Sequence, residues 1–210
     1  MSASHHNQSS ARGFTLIEVL LASSVLAIGL LSAGFLAGQM MMGTNRSKYM
    51  SVASTLASEK LEDLNRWDVD DPQICVPTGS TTVGSLTSDI NQTTTCAQGA
   101  SGNVSYYDNV YPNLAEGTST CPDGTAGCFA ETVASVVSGS TTYTTTVHSP
   151  TGTVQTTSAS TPPTGESFHR RWIIEANSPT NGVRRITVLV NLTNSAIRPA
   201  VNFQMSIVRP

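Results

Sequence analysis

Apolar and polar positions follow three successive regimes along the chain. From Val19 to Asn45 no residue carries a charge, and an apolar helix of that length, rising about 1.5 Å per residue, can cross a hydrocarbon core of about 30 Å. A membrane-spanning helix is therefore predicted over 14–45. Glu18 sits near its start, where an ionised side chain costs at least about 3 kcal/mol unless it finds a partner. From Arg46 the pattern takes a 3.6-residue period: Ala53, Leu56, Ala57, Leu61, Leu64 and Trp67 make one stripe, with Lys48, Glu59, Glu62, Asp63 and Arg66 largely off it. The same helix is thus expected to continue in water over 46–67, stripe against a globular head. Phe14 to Trp67 would be on the order of 80 Å long at 1.5 Å per residue. Asp68, Asp70, Asp71 and Pro72 end it.

The head, 68–210, begins without clear periodicity. Thr78 to Ser167 is rich in Ser, Thr, Gly and Asn, with possible strands at 132–137 and 141–147 and a long mobile loop expected over 151–165. Beyond it the period becomes two. Phe168, Arg170, Trp172, Ile174 and Ala176 alternate with His169, Arg171, Ile173 and Glu175; Ile186, Val188 and Val190 follow, then Val201, Phe203, Met205 and Ile207. Three such segments, separated by turn-forming stretches at 177–182 and 193–199, predict an antiparallel meander whose apolar face covers the helix stripe. The fold class is therefore α+β, a long N-terminal helix packed against a C-terminal antiparallel β-sheet.

Charge adds an asymmetry. From Trp67 to His169 there are nine acids and no Lys or Arg, whereas Arg170 to Pro210 carries six Arg and one Glu. Balance within the head is the favoured reading; attraction between subunits or a polyanion site at the C-terminal end are the alternatives. Charged residues make up only 12% of the chain, a composition suited to an extracytoplasmic surface. Cys75, Cys96, Cys121 and Cys128 all follow the apolar segment, so an exported head would hold them as disulfides. Of three possible pairings, Cys75–Cys96 with Cys121–Cys128 is preferred, because each joins sequence neighbours and 121–128 is rich in turn formers. No C-x-x-C pair and no EF-hand pattern occurs, so neither a metal nor a cofactor is predicted.

Within the apolar helix, Gly29, Gly34, Gly38 and Gly43 form a close-packing face, with Gly34 and Gly38 in G-x-x-x-G spacing, or a soft segment, or are glycines of the kind membrane helices simply tolerate. The polar leader 1–13 precedes the apolar run, the reverse of a secretory signal, and a cut after Gly13 would leave the helix on the mature protein. Gly13-Phe14-Thr15-Leu16-Ile17-Glu18 resembles the class III signal of type IV pilins and type II secretion pseudopilins. The resemblance implies that a prepilin peptidase cuts between Gly13 and Phe14 and methylates the Phe14 amine. It also implies that Glu18 pairs with Phe14 of a neighbouring subunit during assembly. The order of parts, with Leu56 to Leu64 before a Trp-bearing strand and two more strands, is similar to the PilV and GspI group of minor pilins.

Catalysis has no visible basis: there is no Gly-x-Ser-x-Gly elbow and no phosphate loop, and His169 on a strand reads as a surface or packing residue rather than a base. The resemblance implies a minor type IV pilin supporting adhesion, twitching motility or DNA uptake, held in the inner membrane by one pass with a periplasmic head and then in the pilus. Its partners would be other minor and major pilins, the prepilin peptidase, the inner-membrane assembly platform and the lipid bilayer. A minor pseudopilin of type II secretion is one alternative. Another is a tip module that binds a surface or nucleic acid through the Ser/Thr-rich insert or the C-terminal arginines.

Overall fold

The computed structural model describes residues 14–112, 121, 124, 127–137, 139–193 and 200–210. The chain divides into two compact units, Met1–Thr44 and Asn45–Pro210. One helix, α1 (Leu16–Arg66), contributes its first part to the former and its last part to the latter. With no proline before Pro72, nothing in the sequence interrupts it. It starts two residues later than expected because Thr15 caps it: the Thr15 carbonyl accepts from the Glu18 and Val19 amides at 3.0 and 3.3 Å.

In the second unit the helix stripe works as predicted. Ala53, Leu56, Ala57, Leu61 and Leu64 are all buried, each leucine contributing roughly 1.5–3 kcal/mol. They pack in one cluster with Phe168, Trp172, Ile174, Ile186, Val188 and Val190, the inward positions of the first two period-two segments. Those segments are β8 (Phe168–Ala176) and β9 (Arg184–Leu192); the third is β10 (Asn202–Arg209). β8 pairs antiparallel with β9, and β9 with β10, Trp172 opposite Val188 and Met205 opposite Val188 in turn. The architecture is α+β and pilin-like.

Several features depart from expectation. The meander is one flank of an eight-stranded sheet ordered β10-β9-β8-β4-β5-β6-β7, with β4 spanning Tyr107–Pro112, β5 Phe129–Val137, β6 Ser140–His148 and β7 Val154–Ala159. The stretch expected as a mobile loop over 151–165 thus contains β7, an edge strand paired with β6 from Tyr143↔Ala159 to His148↔Val154. Every residue of β7 is exposed, so burial left no period in its sequence; backbone pairing alone places it. Trp67, expected on the buried stripe, falls beyond the last helical turn and is 43% exposed.

The outer edge of β8 is shared by two strands. β1 (Thr82–Gly84) pairs with its end, Gly84 opposite Ile173, and β4 with its start, Tyr107 opposite Arg171. Between them the chain leaves as a separate hairpin, β2 (Asn91–Thr95) and β3 (Ser101–Ser105). Gly84 marks the exit: its φ is +78°, and an added Cβ would collide with the Trp172 carbonyl and the Tyr106 ring, so no L side chain fits there without strain. A Cys75–Cys96 disulfide joins the segment after α1 to the end of the β2 strand.

Candidate functional site

Two groups of residues carry chemistry, one in each unit. In the first unit, Thr15 and Glu18 form the N-cap and third positions of a capping arrangement, with the Glu18 amide reaching Thr15 Oγ1 at 3.4 Å as well as the carbonyl. A carboxylate in the first turn also meets the positive end of the helix dipole. Glu18 therefore has a local reason to be acidic, which the sequence reading missed, although Thr-x-x-Glu was visible in it. Phe14 is 83% exposed. Gly13 and the rest of the leader lie outside the described residues, as does the expected cleavage geometry.

From Leu16 to Met42 the large apolar side chains stand exposed, and the helix is long and apolar enough to cross a membrane. Its hydroxyls are satisfied internally: Ser23, Ser24, Ser32 and Thr44 donate to the carbonyls of Leu20, Leu21, Ile28 and Met40 at 2.8–3.0 Å. Such back-bonding removes the cost of placing hydroxyls in hydrocarbon. Gly29, Gly34, Gly38 and Gly43 have nothing within 4 Å of an added Cβ.

In the second unit, charged side chains lie between the helix and the sheet. Arg170, 2% exposed, stands on the inward face of β8 because its neighbours two places away, Phe168 and Trp172, belong to the core. Its guanidinium holds Asp108 of β4 through two bonds, and its Nη1 donates to Glu131 Oε2 at 3.2 Å and to the Leu56 carbonyl of α1 at 3.4 Å. Lys60 of the helix lies 3.9 Å from Asp108 and 4.3 Å above the Trp172 ring. Burial alone would lift the Asp108 carboxyl, but Arg170 and then Lys60 outweigh it and hold it below the usual carboxylate range.

Glu59 behaves in the opposite way. Its Oε2 is buried with no donor facing it, and the nearby Glu131 carboxylate can only accept. Burial first, then repulsion from Glu131, pushes the Glu59 carboxyl up to about 7, against the pull of Arg170. One shared proton would turn the repelling carboxylates into an O–H···O bond. His148 of β6 faces the other oxygen of Glu59 at 3.2 Å.

The C-terminal arginines are largely engaged inside the head. Arg171 donates to Asp89 at 2.7 Å, and Arg185 grips Glu175 at 2.6 and 2.9 Å. Arg184 donates to the Val69 carbonyl at 2.6 Å, and Arg209 to the carbonyls of Asn65 and Trp67 at 3.3 and 2.9 Å. These last two supply cations and donors where the end of α1 leaves carbonyls unsatisfied. Internal charge balance is what the described arginines show; Arg198 lies outside the described residues. His169 is a positioned packing residue, its ring nitrogens 2.6 Å from Asn109 and 2.8 Å from Asp89.

Of the expected disulfides, Cys75–Cys96 is present, with both cysteines buried. Cys121 is buried and Cys128 half-buried, and the intervening turn lies largely outside the described residues. At 68–72, Asp71 caps a turn by accepting from the Gln73 amide at 2.8 Å, and no group of metal-ligating side chains forms among the described residues.

A helix of this kind, capped at a Thr-x-x-Glu start and laid on an antiparallel sheet at its far half, is a pilin-like fold. Residues 8–34 match the family described as the prokaryotic N-terminal methylation motif, which covers Gly13, Phe14 and Glu18. No curated protein and no solved structure matches the chain.

Proposed function

We propose that this chain is a minor type IV pilin, matured by cleavage between Gly13 and Phe14 and methylation of Phe14, and built into a filament through Glu18. The observation that carries the reading is the order of parts at the amino terminus: a polar leader, the methylation motif over residues 8–34, then an exposed apolar helix that continues into a packed head. Before assembly the 14–45 segment would cross the inner membrane once, with the head and its Cys75–Cys96 bridge on the oxidising, periplasmic side. A second bridge, Cys121–Cys128, belongs to the same proposal. Its partners would be other minor and major pilins, the peptidase and the assembly platform; the PilV group is the proposed subtype, on the similarity of its helix and last three strands.

The test is twofold. Mass spectrometry of the mature protein should return methylated Phe14 as its first residue, and the protein should co-purify with sheared surface filaments. A mature terminus within or beyond Leu21 to Ala33 would overturn the maturation step. Recovery only with a secretion apparatus would assign the chain to the pseudopilins instead.

A further inference from the structure

The head contains a groove of about 690 Å³ that the filament reading does not use, within the range of ordinary small-ligand sites. Its lining combines Tyr107, Tyr111 and Tyr143 with the amides of Asn91, Asn103 and Asn109. The phenols are positioned: Asn91 Nδ2 donates to the Tyr107 hydroxyl at 3.1 Å, and the Tyr111 and Tyr143 rings meet edge to face at 5.8 Å. All three tyrosines are half-buried, so each keeps ring surface and hydroxyl together.

The charged side chains in the lining are Lys60 and Asp108, and they lie 3.9 Å apart with Asp108 also held by Arg170. The groove therefore offers no net charge to a phosphate backbone, which binds by neutralisation. Trp172, also in the lining, is 3% exposed, and its Nε1–H has no hydrogen-bond partner among the described residues.

We infer that this groove binds a neutral oligosaccharide, its pyranose C–H faces against the tyrosine rings and its hydroxyls on the asparagine amides. Aromatic groups with a polar tip suit a ligand that alternates apolar and hydroxyl faces, and amides both donate to and accept from hydroxyls. Binding does not require incorporation into a filament, so it can be measured on the single chain.

The mature full-length protein, in micelles of a detergent without a sugar headgroup, carries Trp67→Phe so that Trp172 is the sole tryptophan. It is titrated with cellohexaose, maltohexaose, chitohexaose and lacto-N-tetraose, and with hexaadenylate and hexaglutamate as charged probes. At least one neutral sugar should change the Trp172 emission saturably. Tyr143→Ala should weaken that binding at least tenfold, whereas Tyr143→Phe, which keeps the ring, should stay within threefold. If Tyr143→Ala does not fold, Asn103→Ala at an exposed position takes its place, with a loss of at least fivefold expected. No response to any neutral sugar, a response that these substitutions leave unchanged, or saturable binding of the charged probes alone would each overturn the inference.

Discussion

The Arg170 guanidinium grips the Asp108 carboxylate through two parallel bonds, Nε to Oδ1 at 2.8 Å and Nη2 to Oδ2 at 2.9 Å, across 62 positions of sequence. With Glu131 and the Leu56 carbonyl on its remaining edge, this one side chain ties β4, β5, β8 and the helix together. Removing one partner of such a buried group leaves the others desolvated and unpaired. Arg170→Met should therefore destabilise the head by about 3–5 kcal/mol. The triple variant Arg170→Met, Asp108→Leu, Glu131→Gln should recover most of the loss. Thermal unfolding followed by near-UV circular dichroism reads both. A single variant as stable as the parent would show that the apolar contacts suffice.

Glu59 gives the head a dependence on pH. Its carboxyl binds a proton more tightly folded, at about 7, than its ordinary value of 4.5, so its contribution is complete below the unfolded value and is lost as pH rises through about 7. Asp108, held below its ordinary value, contributes in the opposite sense: its part is present above the ordinary carboxylate range and lost only in stronger acid. Stability should thus fall between about pH 5 and pH 8. Glu59→Gln should remove that fall and stabilise the head at pH 8 by about 1–2 kcal/mol, the full equivalent of about 1.4 kcal/mol per unit of pKa shift being reduced by the partial exposure of Glu59. Equal slopes in both proteins would assign the dependence to another group.

The Cys75–Cys96 bridge closes a loop with a sequence separation of 21. Restricting the unfolded chain over such a loop is worth about 3 kcal/mol. Cys75→Ser with Cys96→Ser should lower stability by about that amount, as thermal unfolding of the otherwise oxidised protein would read. Peptide mapping under non-reducing conditions should recover Cys121 joined to Cys128 as well as this pair; thiols at those two positions would remove the second bridge from the proposal.

At Glu18 the two roles can be separated. Glu18→Gln keeps the size and a hydrogen-bonding side chain while removing the charge, and Glu18→Leu removes both; in either variant the backbone amide at position 18 still reaches Thr15. Both variants should reach the membrane and be cut after Gly13, and both should be missing from sheared filaments. Incorporation of Glu18→Gln alone would mean that a polar side chain, not the charge, is what assembly needs. Incorporation of Glu18→Leu would make the residue a bystander.

How far the sequence disclosed this molecule follows from what each segment buries. The stripe from Ala53 to Leu64 and the alternation through β8 and β9 were readable because one face of each enters the core and the other does not. The β2 sequence, Asn91 to Thr95, has no apolar residue, and β7 buries none, so neither could show a period. Arg170 was already visible among the inward positions of its strand, a warning of a buried charge. Its partners Asp108 and Glu131 came from stretches without pattern, and only the fold brings them together. Glu59 looked like a solvent-facing acid because its position is off the stripe; the sheet reaches around the helix far enough to cover it.

The division of the β8 edge between β1 and β4 carries a consequence for how the head is built. Gly84 lies opposite Ile173 and Tyr107 opposite Arg171, leaving one place between them, opposite Trp172. Tyr106 already fills it, accepting from the Trp172 amide at 3.1 Å. The register therefore runs from Gly84 to Tyr106 as if the two were adjacent. β1 and β4 are a single strand from which residues 85–105 have been looped out, hairpin and Cys96 included, without displacing any pair on either side.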